Sequence, residues 1–154
     1  MLKWVGRSKS ARLAGVCVSF FALVLAPAGA VQAQPAAPSD GMFEATLCNF
    51  GGEPVAIAVV GRTAAGGPWM RRGWARVPDA QFLGIGRYVQ GHFYYYIKYD
   101  SGVALGGGDQ SPSYCIKKAS SDELLQSGPC ATNEEGLKFV DITVPGPTLQ
   151  LGPI

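Results

Sequence analysis

The chain has 154 residues, 47% of them hydrophobic, which is enough apolar material for one cored domain plus a short extension. Its 13 basic and 11 acidic residues give a formal net charge of +2, but four of the basic residues and none of the acidic ones precede Gln34. From Gln34 onward nine basic face eleven acidic residues, net −2, so nucleic-acid binding loses the clustered positive charge that phosphate neutralisation needs.

Lys3, Arg7, Lys9 and Arg12 open the chain, and Leu13 to Ala26 follows as an uncharged, mostly apolar stretch. Pro27 to Ala33 then brings helix-breaking and small residues. This order predicts a secretory signal peptide over residues 1–33 with a helical apolar stretch. Val31-Gln32-Ala33 is the first choice of cleavage site and Ala28-Gly29-Ala30 the second. A membrane-spanning helix wants about 20 apolar residues, whereas this run meets Pro27 after 14. The uncharged region does continue to Ser39, so an uncleaved N-terminal anchor is the alternative and the one route to a membrane. Cys17, preceded by Val16 and followed by more apolar residues, does not suit lipidation.

Residues 34–42 read as a Pro/Ala linker, 43–146 as a β domain and 147–154 as a C-terminal tail. Short β-branched or aromatic runs, punctuated by Gly and Pro, predict an all-β fold: a small antiparallel β-sandwich or barrel-like domain. Phe43 to Cys48 alternates, with Phe43, Ala45 and Leu47 on one face. Gly51 to Pro54 is a turn, and Val55 to Val60 is a continuous apolar run fit for a buried strand. Arg62 to Pro68 reads as a hairpin loop, Trp69 to Val77 as the next strand, Pro78-Asp79 as a turn and Arg87 to Gln90 as a short strand. Gly91 leads into the densest run, His92 to Tyr99. Its alternation places Phe93, Tyr95, Ile97 and Tyr99 on an apolar face and His92, Tyr94, Tyr96 and Lys98 on a polar one. Asp100 to Gly102 turns the chain, and Gly106 to Asp109 reads as a flexible loop. Ser113 to Lys117 and Leu137 to Val144 are the last strands, with a single helical turn expected at Ser121 to Gln126.

Beyond the leader three cysteines remain, Cys48, Cys115 and Cys130. In an oxidising compartment two of three can pair. Cys115 and Cys130 enclose a short loop and are the favoured pair, which leaves Cys48 as a buried thiol between Leu47 and Asn49; a Cys48–Cys115 bridge is the rival pairing.

His92 is the one histidine of the whole chain, so a His-rich metal site is excluded and no Cys/His zinc spacing exists. A Ser-His-Asp arrangement would have to be built on His92 without a nucleophile-elbow motif, and a surface strand residue beside Gly91 explains it more simply. Scattered aspartates give no paired-carboxylate signal, and the Gly-rich segments lack phosphate-loop or dinucleotide spacing. No catalytic residue, cofactor or metal is expected. Arg71, Arg72 and Arg76, the densest basic group, read as a solvated face. Trp69, Trp74, Tyr88, Tyr94, Tyr96 and Tyr114 are the residues with binding potential, as a stacking platform for a sugar, a peptide or an apolar ligand. Trp69, Trp74, Tyr94 and Tyr96 lead among them, and packing within and over the sheet is the competing reading.

The order of Cys48-Asn49, Val55-Ala56-Ile57-Ala58, Trp69 with Gly73-Trp74, Phe93 to Tyr96, Tyr114-Cys115-Ile116 and Cys130 resembles domain-of-unknown-function family 1036. That bacterial group has an N-terminal apolar segment, a Cys-Asn strand, a Gly-Trp-Trp-x-Val-x-Pro-Gly-x-Cys block, a tyrosine-rich strand and a closing cysteine. The likeness covers residues 43–144. It departs at Ala75, Asp79 and Gln81, where the family carries Trp, Gly and Cys. If the family's four cysteines form two bridges, the change at Gln81 would orphan one partner, which fits a Cys115–Cys130 bridge beside an orphaned Cys48. The resemblance implies an extracytoplasmic β domain and supplies no catalytic residues. The function expected is a secreted or periplasmic, non-catalytic binding or structural domain whose partner is an envelope protein or polysaccharide. A small hydrolase using His92 and a membrane-tethered envelope protein are the alternatives.

Overall fold

The computed structural model describes residues 40–152, which form eleven strands and no helix. The leader and its cleavage sites lie outside the described residues. The strands are β1 (Met42–Asn49), β2 (Val55–Arg62), β3 (Trp69–Val77), β4 (Gln81–Val89), β5 (Gly91–Tyr99), β6 (Ala104–Leu105), β7 (Ser113–Lys117), β8 (Asp122–Leu124), β9 (Glu134–Lys138), β10 (Val140–Val144) and β11 (Thr148–Leu151).

They make three layers. The central sheet runs β10-β5-β2-β3-β8, with β6 also on β5; the second runs β11-β1-β4, and β7-β9 is a two-stranded ribbon. Strand β2 explains the arrangement. Val55, Ile57 and Val59 face the β11-β1-β4 sheet, whereas Ala58 and Val60 face the ribbon. A strand covered on both faces needs an unbroken apolar run, which Val55–Val60 provides. The inner core holds Phe43, Leu47, Ile57, Ile85, Tyr88, Phe93 and Ile97. Phe43 meets Phe93 edge-on at 5.4 Å, and Tyr88 lies 4.9 Å from Phe93. The fold is thus all-β and sandwich-like, antiparallel except where β11 runs parallel to β1.

Five local expectations are corrected. Ser121 to Gln126 is not a helical turn but contains β8, because Gly73 N–H donates to Ser121 O (2.5 Å) and Leu125 N–H to Trp69 O (2.9 Å). Edge pairing satisfies backbone groups that one isolated helical turn would leave open. Leu137 to Val144 is two strands in different layers, hinged at the fully buried Phe139, whose N–H donates to Pro112 O (3.0 Å). Strand β4 begins at Gln81 rather than Arg87; Gly84, Gly86 and a bulge at Ile85 disguise its alternation. The expected tail of 147–154 instead contributes a strand at Thr148–Leu151, since Glu44 to Leu47 pair with Thr148 to Leu151 and Leu151 is buried in the core. Of the expected flexible loop at 106–109, Gly106 and Gly107 are tightly packed: a Cβ on Gly107 would lie 2.3 Å from Phe139 O, and Gly107 N–H donates to Lys138 O.

Asn49 closes one end of the sandwich. It is fully buried, and its Nδ2 donates to the carbonyls of Glu53 (2.9 Å), Val77 and Pro78 (both 3.0 Å) while Oδ1 accepts from Gly51 N–H. The buried amide therefore ties the β1–β2 turn to the β3–β4 turn.

Candidate functional site

The outer face of the central sheet is a grid of side chains. Across β3, β2 and β5 the rows read Arg76, Ala56, Lys98; then Trp74, Ala58, Tyr96; then Arg71, Val60, Tyr94. Trp69 follows opposite Arg62, whose guanidinium sits 4.8 Å from the indole centroid. Trp69 and Trp74 are five residues apart, so strict alternation would send them to opposite faces. A bulge in β3, with Gly73 and Trp74 together opposing Ala58, returns Trp74 to the face that Trp69 occupies. Gly73 is required there, because a Cβ would come within 3.0 Å of Ala119 O and Ser121 N.

Trp69, Trp74, Tyr94 and Tyr96 thus share one face, but the β7-β9 ribbon covers the middle of it. Trp69 meets Tyr94 (5.5 Å), Tyr94 meets Tyr114 (5.2 Å), Tyr114 meets Phe139 (5.4 Å), and Phe139 leads through Tyr96 to Trp74 (6.0 Å at each step). Tyr94 and Tyr96 are half-buried packing residues in this ladder, beneath Ile116 and Phe139. Burial, then the Tyr94 hydroxyl, hold the Tyr114 phenol far above its ordinary pKa. Tyr88 is not on the platform; it sits in the inner core, where burial also raises its pKa.

Two devices seat the ribbon. The first is Arg71, which is buried rather than solvated. Its Nη2 pairs with Glu134 (2.5 Å) and Glu123 (3.0 Å), and Nη1 donates to Cys115 O (2.6 Å). Lys117 also pairs with Glu123. Glu123 is held below the usual carboxylate range by Lys117 and then Arg71, and Glu134 by the Ala131 N–H and then Arg71. The second is the Cys115–Cys130 disulfide, with a Cα–Cα distance of 5.2 Å. Cys48 lies outside this bridge, fully buried in β1, so the rival Cys48–Cys115 pairing does not form. Arg72, beyond the ribbon, forks onto Asp122 (2.6 and 3.0 Å) and donates to Ile85 O, spanning the gap between β3 and β4.

The ribbon leaves a cleft at each end, and each tryptophan walls one. Trp69 and Tyr114 line a cleft of about 470 Å³ with Pro68, Leu124, Leu125 and Gln126. Trp74 lines one of about 390 Å³ floored by Ala56 and rimmed by Arg76, Lys98, Lys118 and Glu135. Both are large enough for one sugar-sized group. His92 stands apart on the rim, exposed, its Nδ1 3.0 Å from Asp141 Oδ1 and its ring stacked along Tyr94 at 6.2 Å. Among the described residues no three His, Cys, Asp or Glu side chains are placed to hold a metal ion.

The aromatic composition pointed to Trp69 and Trp74, but no spacing rule could show that a bulge unites them. Nor could it show that Arg71, Glu123 and Glu134, drawn from three strands, meet in one cluster. No protein-family model matches the chain, and no curated protein or solved structure is significantly similar to it.

Proposed function

We propose that this chain is an exported, non-catalytic binding domain of the bacterial envelope that uses the two tryptophan clefts of its outer face. The observation that carries this reading is the placement of Trp69 and Trp74: each is half-buried, packs one side against the outer core cluster and walls an open cleft with the other. An aromatic held rigid by its neighbours, with one side left open, contributes contact area at little entropic cost. Export is supported by the leader pattern and by the Cys115–Cys130 bridge, which suits an oxidising compartment. Membership of domain-of-unknown-function family 1036 belongs to the same proposal. Its support is that Asn49 and Gly73-Trp74, which carry the resemblance, each perform a definite task, one as a buried clamp and the other as a bulge.

The test is expression with the leader intact, followed by mass analysis of the N-terminus and a screen of the purified product. The screen covers polysaccharides, peptidoglycan fragments and envelope proteins. A mature terminus near Gln34 and a ligand whose binding falls on Trp69→Ala and Trp74→Ala are expected. An intact N-terminus with the protein held in the membrane would favour the tethered alternative, and a wholly silent screen would remove the binding reading. The His92–Asp141 pair is the observation behind a second reading, a small hydrolase. Hydrolysis of an ester or glycoside that disappears in His92→Ala would establish it, whereas equal null results for both proteins would eliminate it.

A further inference from the structure

We infer that the Trp74 cleft takes a carboxylated sugar unit, a uronate-type pyranose within an acidic polysaccharide. The inference deepens the aromatic-face reading and rests on it. The wall is the Trp74 indole, braced edge-on by Tyr96 at 6.0 Å, and a flat π face suits the C–H face of a pyranose ring. The floor is Ala56, whose small side chain separates Arg76 from Lys98 across the strands.

The charges around this floor are unevenly satisfied. Arg76 is matched by Asp100. Lys98, from the central sheet, and Lys118, from the end of the ribbon, line the same cleft from two layers, and among the described residues neither has an ion-pair partner. Glu135 is the one remaining acid and can accept a hydroxyl hydrogen. The lining carries three cations and two carboxylates, a surplus of one positive charge. One carboxylate balances it, whereas a nearly doubly charged phosphate would meet Glu135 and Asp100 at close range. The Trp69 cleft, on the same face, is lined by no charged side chain, so the two ends of the face differ in what they select.

The exported protein would be titrated with an oligogalacturonate and with a neutral cello-oligosaccharide of equal length, by calorimetry and tryptophan fluorescence at low and high salt. The acidic oligomer should bind, weaken with salt, and outbind the neutral one by about tenfold or more. The double variant Lys98→Gln/Lys118→Gln should lose about tenfold and most of the salt dependence. Lys138→Gln removes the same kind of charge outside the cleft, where Lys138 pairs with Asp109, and should change nothing. Equal affinity for both oligomers, or indifference to the double lysine change, would overturn the inference while leaving the aromatic-face reading intact. Binding of neither oligomer would overturn it too, and the wider ligand screen would then decide the aromatic-face reading separately.

Discussion

Asn49 is a single side chain whose position at the end of an alternating strand gives little hint of its work. Its Nδ2 serves three carbonyls from two different turns, so removing it strands buried acceptors as well as losing bonds. Asn49→Ala should cost about 1–3 kcal/mol in urea denaturation, and an unchanged midpoint would mean that water replaces the amide. Tyr114 makes a second residue-scale expectation. Its folded pKa lies above the ordinary 10.0 because burial disfavours the phenolate. The unfolded chain therefore ionises first, so stability should be intact below pH 10 and fall as pH rises beyond it. Alkaline difference absorbance near the tyrosinate band should show phenols, Tyr88 and Tyr114 among them, whose titration is delayed until unfolding, and Tyr114→Phe should shrink that delayed signal by one phenol.

At the scale of elements, the β7-β9 ribbon is the part whose placement matters most, since it creates both clefts. Arg71 holds it through Glu123 and Glu134, one from the edge strand β8 and one from β9. Arg71→Ala would leave Glu134 with a buried, unmatched charge and should destabilise the ribbon more than Lys138→Ala, whose partner Asp109 is solvated. Amide hydrogen exchange should locate the loss in β7 and β9. Both glutamates have folded pKa values below their ordinary range. On acidification the unfolded chain takes up protons first, so this contribution is complete above the ordinary carboxylate pKa of about 4.3 and disappears as pH falls through the lower folded values. Glu123→Gln/Glu134→Gln should flatten that acid limb of the stability curve, and an unaltered limb would place the acid sensitivity elsewhere.

For the whole molecule, the disulfide joins β7 to the segment before β9 and shortens the freedom of the excursion that carries β8. Cys115→Ser under oxidising conditions should lower stability by about 3 kcal/mol, the typical effect of closing a loop of this length. Reducing the wild type should reproduce the loss. A variant as stable as the wild type would mean that the Arg71 cluster alone seats the ribbon. The same bridge makes the Trp69 cleft sensitive to redox conditions, because reduction would remove this constraint on the ribbon and with it the rigid walls of the cleft.

Local alternation and turn chemistry act over a few residues, and what depends on them alone was readable from the chain. The β1 and β5 strands and the faces of the Tyr-rich strand follow from side chains that alternate in and out, and β2 from its unbroken apolar run. The β3 and β7 strands follow from short runs rich in aromatic or apolar residues, and the turns at 51–54, 78–79 and 100–102 from their Gly, Pro and Asp residues. What required the tertiary structure involves partners distant in sequence. Ser121 to Gln126 became part of an edge strand because β3 offered unpaired backbone groups, and 148–151 became a strand because β1 did. Phe139 broke one apparent strand into two because the chain had to cross between layers. Trp69 and Trp74 came to one face only through a bulge, which shifts the alternation by one residue and leaves no periodic trace in the sequence.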